Sequence, residues 1–120
     1  MLPKSHRQAY QEFLRTLLDL QNLSTASNTD AASLQQNFQN VQQIFQKQVA
    51  ILTSDEVDPA IASRWQSIQT EIYRAIRLLG TDILFLRSSR QAATTEARLK
   101  TVSDRTQKLI GYCQALLQEK

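Results

Sequence analysis

Few side chains in this sequence have the types and spacing that chemistry at an active site requires. His6 is the only histidine, so no second imidazole can join it at a metal ion. It also stands near a chain end that we expect to fray. Cys113 is the only cysteine, which excludes an internal disulfide, and its place on an apolar stripe predicts a buried, inert thiol. Asp55, Glu56 and Asp58 stand together, but helix capping and solvation explain carboxylates in a connection.

Two further signatures of catalysis are missing. Gly80 and Gly111 stand far apart, so the sequence has no glycine-rich phosphate loop. The Glu-x-x-His pattern that holds metal ions in helical bundles is absent as well. We therefore expect a protein that is not an enzyme and that uses no cofactor or metal.

Arginine is the residue type whose placement is most informative. Residues 1–60 carry 4 basic and 6 acidic side chains, a net charge of −2, whereas residues 61–120 carry 10 basic and 5 acidic, a net charge of +5. A clustered basic surface attracts nucleic acid or an acidic protein segment. The candidate partner-binding residues are Arg74, Arg77, Arg87, Arg90, Arg98 and Arg105.

The arrangement of these arginines depends on how the chain folds. If the third and fourth helices form a hairpin, Arg87, Arg90 and Arg98 gather at its tip, where they could grip phosphates or carboxylates. The alternative is a solvated tip with local ion pairs, such as Asp104 with Lys108 at the i,i+4 spacing.

The composition indicates which elements position these side chains. The chain has 120 residues, enough for one domain, with only 2 glycines and 2 prolines, too few for a turn-rich sandwich or barrel. Its 16 glutamines favour helix over strand. We predict an all-α fold, a four-helix bundle-like single domain over residues 1–120 with antiparallel long helices.

Apolar residues at alternating spacings of three and four predict four amphipathic helices. Their expected ranges are residues 5–23, 31–53, 59–89 and about 95–119. Asp30 and Asp58 are the expected N-caps of the second and third helices, and Thr94 or Thr95 that of the fourth. We expect the third helix to continue through Gly80, because the apolar rhythm keeps its phase there.

Aromatic side chains on these stripes are expected in the core rather than in a ligand pocket. This holds for Trp65, Phe38, Phe45 and Tyr112. Some apolar side chains remain in excess of what the core needs, notably Leu84, Phe85 and Leu117. Such a surplus favours a partner helix or a homodimer.

The sequence does not predict insertion into a membrane or secretion. The longest apolar run, residues 83–86, is far shorter than the roughly 20 residues of a spanning helix. The first seven residues lack the apolar stretch of a secretory signal. We therefore expect a cytoplasmic protein.

Three stretches resemble one known family. They are DPAIASRWQSIQTEI at residues 58–72, RLLGTDILFL at residues 77–86 and LIGYCQALL at residues 109–117, together with Asp104 and Arg105. They are similar to the small cyanobacterial proteins of the heterocyst frequency control protein PatD family. The resemblance spans most of the chain and rests on helix patterns rather than on catalytic motifs.

The resemblance implies a non-enzymatic regulator in filamentous nitrogen-fixing cyanobacteria. The family limits how many cells become heterocysts, and it binds the tubulin-like division protein FtsZ and modulates its assembly. No family motif assigns contact residues in this sequence. A basic helical regulator that binds nucleic acid stays open as the alternative, although the aromatic interleaving typical of single-strand binding is missing.

Overall fold

A computed structural model describes residues 2–26 and 30–118 of the chain. Within these residues the chain forms four α-helices and no strand, which confirms the predicted all-α class. The helices are α1 (Lys4–Ser24), α2 (Ala31–Ile44), α3 (Pro59–Arg87) and α4 (Ala92–Leu117), and a π-helix, Phe45–Val49, continues α2. Residues 27–29 of the predicted loop lie outside the described residues, and so does Glu119, the predicted end of the fourth helix.

The four helices form an antiparallel bundle in which each helix packs against two others. The neighbours are α1 with α2, α2 with α3, α3 with α4 and α4 with α1. Gln21 near the end of α1 donates a hydrogen bond to Ser103 in the first half of α4, at 3.0 Å. The rings of Phe13 and Phe45 likewise meet between α1 and the π-helix. The bundle measures 50 × 20 × 19 Å.

One cluster of apolar side chains runs along the bundle axis. All four helices and the π-helix contribute to it, because each has its apolar residues on one face. The fully buried large side chains are Tyr10, Phe13, Leu17, Leu20, Leu34, Val41, Val49, Ile72, Leu79, Ile83, Leu109 and Leu116. The expected core positions of Trp65, Phe38 and Phe45 are confirmed, while Tyr112 lies at the edge of the core.

Three helix starts show how far local patterns predict the ends of helices. The carboxylate of Asp30 accepts from the Ser33 amide, and that of Asp58 accepts from the Ala60 amide, so both predicted N-caps are confirmed. The predicted cap at Thr94 or Thr95 is wrong, because α4 begins three residues earlier, at Ala92.

The reason for the earlier start of α4 is local. Ala92 and Ala93 are strong helix formers, which favours helix before the threonines. The Thr95 hydroxyl then donates to the carbonyl of Gln91 at 3.0 Å, inside the helix rather than at its cap.

The second helix differs from the sequence prediction, which ran to Thr53 as one α-helix. It ends as a wide turn in which the Ala50 amide donates to the Phe45 carbonyl at 2.7 Å, a spacing of five residues. Phe45 and Val49, which are four residues apart, are both buried, whereas Ile51 after the wide turn is 67% exposed. Periodicity alone did not reveal this change of register.

The third helix is continuous from Pro59 to Arg87, which confirms the prediction that Gly80 does not break it. No glycine in the described residues has a positive φ angle. In the same residues, no helix has an apolar stretch long enough to cross a membrane.

Candidate binding surface on the third helix

The six predicted arginines divide into two groups of three. Arg74, Arg98 and Arg105 have partners within the bundle. Within the described residues, the other three make no ion pair, and all three are exposed: Arg77, Arg87 and Arg90. The sequence could not set Arg98 and Arg105 apart from the exposed group, because helical spacing does not say which neighbouring helix faces a given residue.

The partnered arginines pair either with a residue of the neighbouring helix or with a residue of their own helix. Arg105 of α4 donates to the carboxylate of Asp82 on α3 at 2.5 Å, in a pair that is largely shielded from water. Arg74 has a looser pair with Glu71, at 3.6 Å on the solvent side. We therefore assign Arg105 to bundle packing rather than to partner binding.

Arg98 also has a structural contact, although it lies near the tip of the hairpin. Its guanidinium carbon stands 5.0 Å from the centroid of the Phe85 ring, a cation-π geometry. This contact brings Arg98 beside the last turn of α3, as the hairpin arrangement predicts. Arg87 ends α3 and Arg90 lies in the four-residue connection to α4, so the basic tip does form.

The predicted ion pair of Asp104 with Lys108 is wrong. Asp104 instead accepts from Lys100, with 3.2 Å between nitrogen and oxygen. Both pairs have the i,i+4 spacing, so the sequence pattern alone does not select between them. Lys108 lines a shallow hollow between α3 and α4 together with Arg105 and Tyr112.

The outward side of α3 exposes large apolar side chains among these cations. Leu84 is 59% exposed and Phe85 52%, which confirms the sequence prediction of spare apolar surface there. Leu78 on the same helix is exposed as well, and Leu117 is half-buried. We call this surface the outer face of α3, defined by Arg77, Leu78, Leu84, Phe85 and Arg87.

A groove lies beside this face, between α2 and α3. Its α2 wall is made of glutamine side chains, and its α3 wall includes Arg77, Gly80 and Leu84. The ring of Phe38, almost fully buried, reaches Gly80 at its floor. The groove encloses about 340 Å³, and we call it the α2–α3 groove.

At the other end of the same two helices, a chain of buried hydrogen bonds crosses the bundle. The Trp65 indole nitrogen donates to the Tyr10 hydroxyl at 2.8 Å, and that hydroxyl donates to the Gln69 side-chain oxygen at 2.6 Å. The Gln69 amide nitrogen donates in turn to the Val49 carbonyl at 2.9 Å. These bonds satisfy polar groups that would otherwise be buried without partners.

His6 belongs to this end of the bundle, which corrects the expectation of a frayed residue. It is 4% exposed, its Nε2 donates to the Thr53 carbonyl at 2.9 Å, and its ring centroid stands 5.5 Å from that of Trp65. The bond joins residues that are 47 positions apart, so no local signal in the sequence could have indicated it.

Two titratable groups inside the bundle, Cys113 and Tyr10, favour their neutral forms. Burial raises the pKa of the Cys113 thiol to about 12, so the thiol is protonated and buried, as the sequence predicts. Burial also raises the pKa of Tyr10. Among residues 2–26 and 30–118, no group of three or more histidine, cysteine or carboxylate side chains converges to hold a metal ion.

Comparisons with protein-family models, with curated proteins and with solved structures find no match to this chain.

Proposed function

We propose that this chain is a non-enzymatic, cytoplasmic regulator that binds the tubulin-like division protein FtsZ and modulates its assembly. Through that effect it influences how often cells differentiate into heterocysts. The outer face of α3 is the binding surface in this proposal. The identity of the partner rests on the family resemblance of residues 58–117, and the location of the surface rests on the exposed side chains of α3.

The observation that carries the proposal is the mixture of apolar and cationic side chains on one exposed helix. Leu84 and Phe85 are each more than half exposed, and Arg77 and Arg87 beside them make no ion pair within the described residues. Aromatic residues and arginine are enriched in protein interfaces, where buried apolar contacts supply affinity and charges select the partner. A surface of this kind fits a protein partner with acidic groups.

The mechanism is a shift of the polymerisation equilibrium. A protein that binds the filament more tightly than the free subunit promotes assembly, and one with the opposite preference opposes it. The described bundle is a rod 50 Å long, so one such molecule can contact an extended surface of its partner. The direction of the effect is read from the amount of polymer.

The test is sedimentation of FtsZ polymer with GTP, with and without this protein at micromolar concentration. We expect the polymer mass to change and this protein to sediment with the polymer. An unchanged polymer mass together with no co-sedimentation would remove the proposal. The variant Arg87→Glu with Arg90→Glu should weaken co-sedimentation, whereas Lys4→Glu with Lys47→Glu, which changes the net charge equally, should not.

Nucleic acid is the second candidate partner, because Arg87 and Arg90 form an exposed basic tip without internal ion pairs among the described residues. Binding that neutralises phosphates falls steeply with salt, since counterions are released. A gel shift at two ionic strengths distinguishes the candidates. Tight DNA or RNA binding at low salt that disappears at physiological salt, with no effect on FtsZ, would favour the alternative.

A further inference from the structure

The α2–α3 groove has a feature that helix stability does not explain, a glycine inside a 29-residue helix. Glycine is a much poorer helix former than alanine, so an interior glycine needs a separate reason. Backbone geometry does not supply one, because Gly80 has ordinary helical φ. Packing does not demand glycine either, since a Cβ atom there would lie 3.4 and 3.5 Å from two Phe38 ring carbons.

The effect of Gly80 is to keep the floor of the groove open. A side chain at position 80 would stand over the ring of Phe38 and fill part of the 340 Å³ of free space. The floor is therefore apolar and reachable from the surface, and the exposed Leu84 forms its rim on the α3 side. An apolar side chain from another molecule fits such a site.

The charges around the groove indicate what flanks that side chain. Arg77, Gly80, Leu84 and Arg87 follow spacings of three, four and three, so they form one row along α3. The row has a cation at each end, about 15 Å apart by the rise of the helix. The groove is lined by no carboxylate, and Arg77 is its one charged lining residue among the described side chains.

We propose that the α2–α3 groove binds an acidic segment of a partner protein that inserts one apolar side chain over Phe38 and Gly80. Carboxylates on either side of the inserted side chain pair with Arg77 and Arg87. This inference rests on the proposed function, because it specifies the part of the partner that the α3 surface holds.

Charge complementarity favours this occupant over a second copy and over nucleic acid. Two copies paired through α3 would bring the unpaired Arg77 and Arg87 of each copy towards those of the other, which is unfavourable. Nucleic acid requires several cations along its backbone, whereas the α2 wall of this groove consists of uncharged side chains such as Gln39 and Gln42.

The first experiment fills the groove without damaging the fold. Gly80→Ala adds a methyl group over Phe38, and Gly111→Ala adds one on α4 where no atom lies within 4 Å. Both variants keep their helices, since alanine favours helix. Binding of each variant is measured against FtsZ subunits and against a fluorescent peptide with one phenylalanine between aspartates and glutamates. We expect about tenfold weaker binding by Gly80→Ala, the effect of losing one anchoring contact, and unchanged binding by Gly111→Ala.

The second experiment reverses the charges. Arg77→Glu with Arg87→Glu should lose the acidic peptide and gain a peptide in which lysines replace its carboxylates. The control Lys4→Glu with Lys47→Glu changes the net charge equally at positions away from the groove, and it should keep the preference for the acidic peptide. Trp65 is the only tryptophan and is buried at the other end of the bundle, so unchanged emission shows that each variant is folded.

The outcomes separate this inference from the proposed function. If FtsZ binds all variants equally, this inference is overturned and the outer face of α3 is not the binding surface, while the binding of FtsZ itself stands. If FtsZ does not bind but the acidic peptide does, with the expected losses, the groove stands and FtsZ is the wrong partner. If neither probe binds the wild-type chain, or if self-association depends on Gly80, the inference is overturned.

Discussion

The contact between α2 and α3 differs sharply between its two ends. At the end of the π-helix, side chains of α3 donate hydrogen bonds to backbone carbonyl oxygens. Gln69 donates to the carbonyl of Val49, and the Tyr73 hydroxyl donates to that of Ala50 at 2.8 Å. The Tyr73 ring also meets that of Phe45 edge-on, with 4.9 Å between centroids. At the other end the helices enclose the α2–α3 groove, and no hydrogen bond joins them there in the described residues.

The difference teaches that one helix pair can be closed by hydrogen bonds at one end and open at the other. The wide turn at Phe45–Val49 leaves carbonyl oxygens that need donors, and long polar side chains of α3 supply them. Glycine at position 80 supplies no side chain, so the space opposite Phe38 stays open. We expect the closed end to dominate stability and the open end to dominate binding.

The largest expected effect comes from breaking the closed end at Gln69. Gln69→Leu leaves the Tyr10 hydroxyl without its acceptor and the Val49 carbonyl without its side-chain donor, so we expect a loss of about 2–4 kcal/mol in the free energy of unfolding. Urea denaturation measures it. The control Gln66→Leu, exposed on the same helix, should change stability by no more than about 0.5 kcal/mol. Equal effects of the two variants would show that the buried bonds contribute little.

A smaller loss is expected from His6, which joins α1 to the same end. His6→Ala removes the bond to the Thr53 carbonyl and the ring packed on Trp65, so stability should fall by about 1–2 kcal/mol. Emission from Trp65 should shift to longer wavelength as water reaches it. His6→Gln retains a donor and should recover part of the loss. If His6→Ala leaves both stability and emission unchanged, the closed end does not extend to α1.

Alkaline pH should lower the free energy of unfolding through two buried core residues that do not line the α2–α3 groove. Burial raises the pKa of Cys113 from its usual 9.0 to about 12, and burial raises that of Tyr10. The unfolded chain loses these protons first, so the stability they contribute is complete below about pH 9 and declines as the pH rises towards 12. The slope is about 1.4 kcal/mol per pH unit for each group.

The variant Cys113→Ala checks the source of that decline. Above pH 9, the free energy of unfolding of this variant should fall less steeply with pH than that of the wild-type chain, because one of the two buried groups is gone. Urea denaturation at several pH values measures the slope. A profile that is flat to pH 11 in the wild-type chain would contradict the assignment of both buried groups.

The smallest expected effects are the gains from replacing glycine in the two long helices. Gly111→Ala should stabilise the protein by about 1 kcal/mol, because the added methyl group meets no other atom. Gly80→Ala should gain the same or less, because its methyl group touches Phe38. Thermal unfolding compares the two. A clear loss of stability in Gly80→Ala would show that packing requires the glycine, which would weaken the comparison of the two ends.

The sequence alone determined the helical class, the capping of two helices by Asp30 and Asp58, and the continuity of α3. These features depend on residues within a few positions of each other, so spacing and side-chain type are sufficient to predict them. The sequence also indicated which arginines are candidates for partner binding, and that Leu84 and Phe85 are apolar side chains that the core does not require.

Only the tertiary structure decided which of those arginines stay available. Arg105 is taken by Asp82 and Arg98 by Phe85 because α4 packs beside α3, while Arg77 lines the α2–α3 groove and Arg87 is exposed at the end of α3. The bonds of His6 and Gln69, the wide turn after Ile44 and the groove over Gly80 also depend on packing between helices. Helical periodicity gives the face that a residue occupies, but the neighbour on that face is set by how the four helices pack.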